Sequence, residues 1–222
     1  MTEQIHNRYL AVPQSGKGAG VLVLHAWWGL NDVIRDVCDR LAQEGFVALA
    51  PDMFSGKIDR TIEEAEQHVS QLDWERAVPP EILSAVEALR SHPAVSGNGL
   101  GTVGFSFGGF WALWLAQKQP ELIRAVTLFY GTNGGGGNFQ QSKAAYLGHF
   151  AETDPNESPE AIQELEKNLR GANRPVTFYT YPGMGHWFFE QDRQDAYDAQ
   201  AAQLAWDRTI AFLHEQLEVV PG

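Results

Sequence analysis

A chain of 222 residues with 44% hydrophobic content can bury one generous core, and such a composition does not suit a disordered protein. Its 28 acidic residues against 16 basic ones give a net charge of −12, which argues against nucleic acid as a partner, because phosphate-binding surfaces need clustered Lys and Arg. The single cysteine, Cys38, excludes an internal disulfide framework and a Cys-rich metal site. No stretch approaches the ~20 apolar residues of a membrane span. The segment from Met1 to Leu10 lacks a basic start followed by an apolar run, so a cytoplasmic protein without membrane association is expected.

The first predicted strand is Val21-Leu22-Val23-Leu24, a continuous apolar run suited to burial on both faces. Ile34, Val37, Cys38 and Leu41 then recur at helical spacing, with Asn31 and Asp32 as candidate caps and Gly45 as a stop. Phe46-Val47-Ala48-Leu49 predicts a second strand, ended by Pro51. Helices are predicted over 61–72 and 80–91, the second with Pro80 in its first turn and Ile82, Ala85, Val86 and Leu89 on one face. A short strand over 101–105 leads into an apolar helix over 108–118 that carries Trp111, Leu113, Trp114 and Leu115.

Residues 125–130 predict another strand, and the glycine run 134–137 interrupts regular structure. Strands are expected over 144–149 and 176–181. Between them Ser158 and Pro159 open a helix with Ile162, Leu165 and Leu169 on one side. The last helix places Ala199, Ala202, Trp206, Ile210, Leu213 and Leu217 along one stripe. Strand and helix alternate almost throughout, which predicts an α/β fold with a mostly parallel, doubly wound sheet and helices on both faces. With no linker and no repeat, residues 1–222 read as a single domain.

Gly104-Phe105-Ser106-Phe107-Gly108 falls where a strand hands over to a helix. A nucleophile on such a sharp turn is exposed at the carboxyl edge of the sheet, and glycine on either side relieves the crowding of the turn. The amide of Phe107 at the helix start is a candidate oxyanion donor. A serine hydroxyl needs a base, and His186 is the best placed of seven histidines, in a glycine-rich loop after the last strand. The third member is expected to be a carboxylate between these two in sequence, just after a strand. Asp154 before Pro155 is the first candidate, and Glu152 is the reserve. Asp52 would depart from that chain order. The Trp27 amide, after the first strand, is the candidate second oxyanion donor. His25 reads as a structural hydrogen-bonding residue.

At these positions the sequence resembles the dienelactone hydrolase family. The likeness runs through Trp27-Trp28-Gly29-Leu30-Asn31, Ala50-Pro51-Asp52-Met53-Phe54, Gly104 to Gly109, Tyr130-Gly131, Asp154 and Gly185-His186-Trp187-Phe188. The resemblance implies an α/β-hydrolase fold, no cofactor, no metal, and a triad on Ser106, Asp154 and His186. Three positions depart from the family pattern. Ser106 stands where the family has cysteine, Ala26 where it has glutamate, and Glu190 where it places a carboxylate-binding arginine. Arg193, and less readily Arg60 or Arg76, could replace that arginine.

The expected function is hydrolysis of a small-molecule carboxylic ester by a monomer or homodimer. Trp28, Tyr130, Phe139 and Phe188 are the candidate substrate-binding walls. A lactone or thioester hydrolase with the same triad, or a silent binding homologue, are the rival readings.

Overall fold

The computed structural model describes residues 2–5 and 7–217. The chain divides into two compact units, the first running to Gly97 and the second beginning at Asn98. Among the described residues no helix is long and apolar enough to cross a membrane.

The first unit contains β1 (Thr2–Ile5), β2 (Arg8–Ala11), β3 (Gly18–Leu24), α1 (Asp32–Gln43), β4 (Val47–Pro51), α2 (Ile62–Gln71) and α3 (Trp74–Arg90). Every residue of β3 is buried, as its unbroken apolar run requires, and it pairs parallel with β4. The crossover between them is α1, capped by Asn31, whose side chain accepts from the Ile34 amide. Ile34, Val37, Cys38 and Leu41 form its buried stripe. Each fully buried aliphatic side chain of this kind contributes about 1.5–3 kcal/mol. β2 and β1 extend this sheet antiparallel on the other side of β4. The pattern reading passed over both, because four residues carry too little alternation to signal a strand.

The third helix differs from expectation. It starts at Trp74 after Asp73, and Pro79 and Pro80 lie inside it instead of opening it. Val78 joins Ile82, Ala85, Val86 and Leu89 on one buried stripe, so packing carries the helix through two residues that lack an amide donor. The carbonyls deprived of those donors belong to Glu75 and Arg76, both exposed and open to water.

β5 (Val95–Phe105) carries the chain into the second unit, which adds α4 (Phe107–Lys118), β6 (Ile123–Phe129), β7 (Ala145–Thr153), α5 (Pro159–Gly171), β8 (Val176–Gly185) and α6 (Ala199–Leu217). β5 pairs with β6, β6 with β7 and β7 with β8, all in parallel. β7 and β8 run four residues further than their apolar cores predicted. Residues 101–105 of β5 and nearly all of β6 are buried, and α4 has Trp111, Leu113 and Leu115 enclosed.

Candidate active site

Parallel strands bring their carboxyl ends to one edge, where α/β sheets place their ligands. In the second unit the first residues beyond the four strands are Ser106 after β5, Tyr130 after β6, Asp154 after β7 and His186 after β8. The sheet itself therefore gathers these four side chains, although they are far apart in sequence.

Ser106 joins β5 to α4 with φ 48° and ψ −112°, outside the ordinary regions for a side-chain-bearing residue. Such a conformation costs on the order of 1–3 kcal/mol and persists only where its surroundings hold it. Here the Ser106 amide donates to Phe129 O at 2.9 Å, and Ser106 O accepts from the Gly109 amide at 2.7 Å. A Cβ on Gly104 would collide with the backbone of Gly108 and Gly109, and one on Gly131 would collide with the Ser106 carbonyl. The turn thus requires glycine at position 104 before it and at position 131 packed against it. Phe107 is the first residue of α4, so its amide lies at a helix N-terminus.

Three side chains are hydrogen-bonded in series. His186 Nε2 lies 2.9 Å from Ser106 Oγ, and His186 Nδ1 lies 2.7 Å from Asp154 Oδ2. The carboxylate accepts a hydrogen bond from Nδ1–H, which leaves Nε2 as an acceptor for the serine hydroxyl. Asp154 Oδ1 accepts from the amides of Asn156 at 2.9 Å and Glu157 at 3.1 Å, so both carboxylate oxygens are engaged. The imidazole and the carboxylate are almost fully shielded from solvent.

The reserve acid is used elsewhere. Glu152 lies inside β7, exposed, and accepts from the Gly183 amide at 2.8 Å. Asp52, in the first unit, accepts from the amides of Phe54 and Gly56 in its own loop. His25 accepts at Nε2 from the Met53 amide at 3.0 Å, and burial lowers its pKa to about 4, so it is a neutral structural residue. Trp27 and Trp28 also belong to the first unit, where their rings meet edge to face at 5.3 Å. Trp28 is fully buried and Trp27 half-buried.

The other expected walls are packing residues in the free protein. Phe139 is buried edge-on to Tyr146, and Phe188 is buried between Tyr130 and Tyr181. Tyr130 is buried too, with φ 38° and its ring 4.8 Å from that of His186. Its hydroxyl donates to Glu190 Oε1 at 2.8 Å.

Glu190 departs from what its sequence position suggested. It is 1% exposed, and no hydrogen bond reaches Oε2. Burial raises its pKa to about 8, with Asp192 adding to the rise and the Tyr130 hydrogen bond and Arg193 opposing it. Burial therefore favours its neutral form, with the Tyr130 hydroxyl hydrogen-bonded to it. Arg193 pairs with Asp192 at 3.0 Å. Sequence reasoning also passed over Glu157, whose carboxylate accepts from the amide and hydroxyl of Thr132. The Asp154-Pro155-Asn156-Glu157 turn was the available signal, since an aspartate there commonly accepts from amides two and three residues on.

A strand-to-helix serine, a histidine and a carboxylate in this chain order, at the carboxyl edge of parallel strands, define the α/β-hydrolase class. The chain belongs to the dienelactone hydrolase family, whose profile, described as "Dienelactone hydrolase family", matches residues 7–217. It is 34% identical to "Protein usf" of Aquifex pyrophilus over 94% of this chain and 93% of that one. It is 35% identical to the "Probable 2-oxo-3-(5-oxofuran-2-ylidene)propanoate lactonase" of a Bradyrhizobium species, over 94% and 89% of the two chains. The crystal structure of a "Putative Dienelactone Hydrolase" from Klebsiella pneumoniae superposes with a TM-score of 0.80 at 25% identity, covering 94% of this chain and 92% of that one. The protein is a hydrolase with the α/β-hydrolase fold.

Proposed function

We propose that this hydrolase cleaves carboxylic esters through an acyl-enzyme on Ser106. The observation that carries the reading is the unbroken series Ser106 Oγ, His186 Nε2, His186 Nδ1, Asp154 Oδ2 on a strained strand-to-helix turn. Ser106 Oγ attacks the acyl carbon while its proton passes to Nε2, and Asp154 stabilises the imidazolium. The Phe107 amide stabilises the developing oxyanion. The imidazolium then protonates the leaving alkoxide. Water repeats the sequence on the acyl-enzyme and restores the serine.

A lactone is a cyclic ester and requires the same steps, and the lactonase name of the Bradyrhizobium relative favours including it. The preferred substrate in this reading is neutral. Glu190 occupies the position assigned to a carboxylate-binding arginine, and Arg193 is engaged by Asp192. Loss of one charge-assisted contact costs about 1.5–3 kcal/mol, or about one to two decades in kcat/KM. The test compares an aryl acetate, the matching aryl hemisuccinate and an unsaturated lactone acid, alongside labelling of Ser106 by a fluorophosphonate. The acetate is expected to react fastest. Faster turnover of either anionic substrate would reverse the preference, and failure to label Ser106 would remove the mechanism.

A further inference from the structure

We propose that Glu157 is a positioning residue for Ser106, His186 and Asp154, tying the loop that carries the acid to the turn that backs the nucleophile. The inference rests on the serine-hydrolase reading and deepens it. Glu157 lies three residues beyond Asp154, immediately before Ser158 caps α5. Its amide donates to Asp154 Oδ1 at 3.1 Å. Its carboxylate accepts twice from Thr132, from the amide at 2.9 Å and from the hydroxyl. The Thr132 hydroxyl oxygen in turn accepts from the Gly134 amide at 3.2 Å, which orders the start of the glycine run.

Thr132 follows Gly131, and Gly131 lies against the Ser106 carbonyl so closely that no side chain fits there. A continuous path of contacts therefore runs from Asp154 through Glu157, Thr132 and Gly131 to the backbone of the nucleophile. The hydrogen bonds of His186 link Asp154 and Ser106 directly. Proton transfer from Oγ needs the loops that carry them in register, and a displacement of ~1 Å can cost ~100-fold in rate.

The carboxylate acts through its charge as well. Burial pushes its pKa up from the ordinary range, and the two Thr132 hydrogen bonds pull it back. Asp154 and His186 are the titratable groups that act on it most directly. Tyr130, packed on the imidazole, lies in the fields of Glu190, Asp192 and Asp154. An anion near an imidazole favours its protonated form, which is the form created when serine attacks. Glu157 thus reinforces Asp154.

The experiment compares Glu157→Ala, Glu157→Gln and Thr132→Val with wild type on a neutral aryl ester, with thermal melting to verify folding. Glutamine can still accept from the Thr132 amide, so it keeps that half of the clamp and loses the charge together with the acceptor for the Thr132 hydroxyl. Glu157→Ala is expected to lower kcat by ~10–100-fold with little change in KM. Glu157→Gln should recover most of that loss while the acid limb of its kcat/KM profile moves down by on the order of half a pH unit. Thr132→Val should fall between the two. Wild-type kcat in folded Glu157→Ala, or a loss confined to KM, would overturn the proposal. Should Glu157→Ala not fold, an unmoved acid limb in Glu157→Gln overturns it instead. Ser106→Ala run in parallel separates the two readings, since only its retained turnover would strike at the serine mechanism itself.

Discussion

Each unit holds a buried aspartate paired with a histidine, and the two pairs are alike at their centre. His68 Nδ1 lies 2.7 Å from Asp59 Oδ2 in the first unit, and His186 Nδ1 lies 2.7 Å from Asp154 Oδ2 in the second. Both carboxylates are 1% exposed. The difference lies beyond the pair. Lys57 Nζ sits 3.4 Å from Asp59 Oδ1, whereas Asp154 Oδ1 is held by two backbone amides. The His68 ring meets Phe54 edge to face at 4.7 Å, whereas the far nitrogen of His186 reaches a serine hydroxyl. An oriented imidazole is therefore not a catalytic group by itself. In the mechanism we propose, a nucleophile on a strained turn converts the same pair into a proton-transfer device.

Removing the nucleophile is the severest test of that contrast. Ser106→Ala is expected to lower ester turnover by on the order of a millionfold while the melting temperature stays near wild type. A purified variant that kept a tenth of the rate would show that the hydroxyl does not set the two pairs apart.

The carboxylates come next. Asp154→Asn is expected to lower kcat by ~10³–10⁴, because the amide can hold the imidazole in the wrong tautomer. Glu152→Gln should stay within about threefold of wild type, since it loses only one charged acceptor to an exposed amide. A larger loss at Glu152 than at Asp154 would transfer the acid's role. Asp59→Asn, made in the other pair, should cost about 1–3 kcal/mol of stability and leave kcat nearly unchanged. A thousandfold fall in kcat there would erase the distinction between the pairs.

The surroundings of His186 supply a subtler measurement. Burial raises the Glu190 pKa from its ordinary value of 4.5 to about 8. An acid whose folded pKa is raised contributes most to stability below its unfolded pKa, and the contribution is lost as pH rises through the folded value. The window therefore runs from about pH 4.5 to about pH 8. Glu190→Gln keeps an acceptor for Tyr130 and cannot ionise. Its stability, followed by melting, should decline less than that of wild type across this window, with a free-energy difference of about a few kcal/mol at the alkaline end. Parallel melting curves for the two proteins would show that Glu190 ionises freely when folded.

Local chemistry in the sequence determined a good deal of this protein. Continuous apolar runs marked β3, β4 and β6, and helical spacing named the residues α1 buries and, in α5, Leu165 and Leu169, with Ile162 only half-buried. Gly104-Phe105-Ser106-Phe107-Gly108 located the turn, because the glycine requirement is a matter of sterics between near neighbours. Chain order then pointed to Asp154 and His186. Tertiary structure decided what depends on distant partners. It separated Asp154 from Glu152, because β7 runs on to Thr153 and sends Glu152 to the Gly183 amide. It carried α3 through Pro79 and Pro80, because a buried stripe outweighs two missing donors. It buried Glu190, the residue standing in the place of an expected arginine, against Tyr130, and it set the Glu157 carboxylate on Thr132. A carboxylate's charge and partner follow from the solvent and side chains around it, and those are brought there by residues 25 and 60 positions away in the chain.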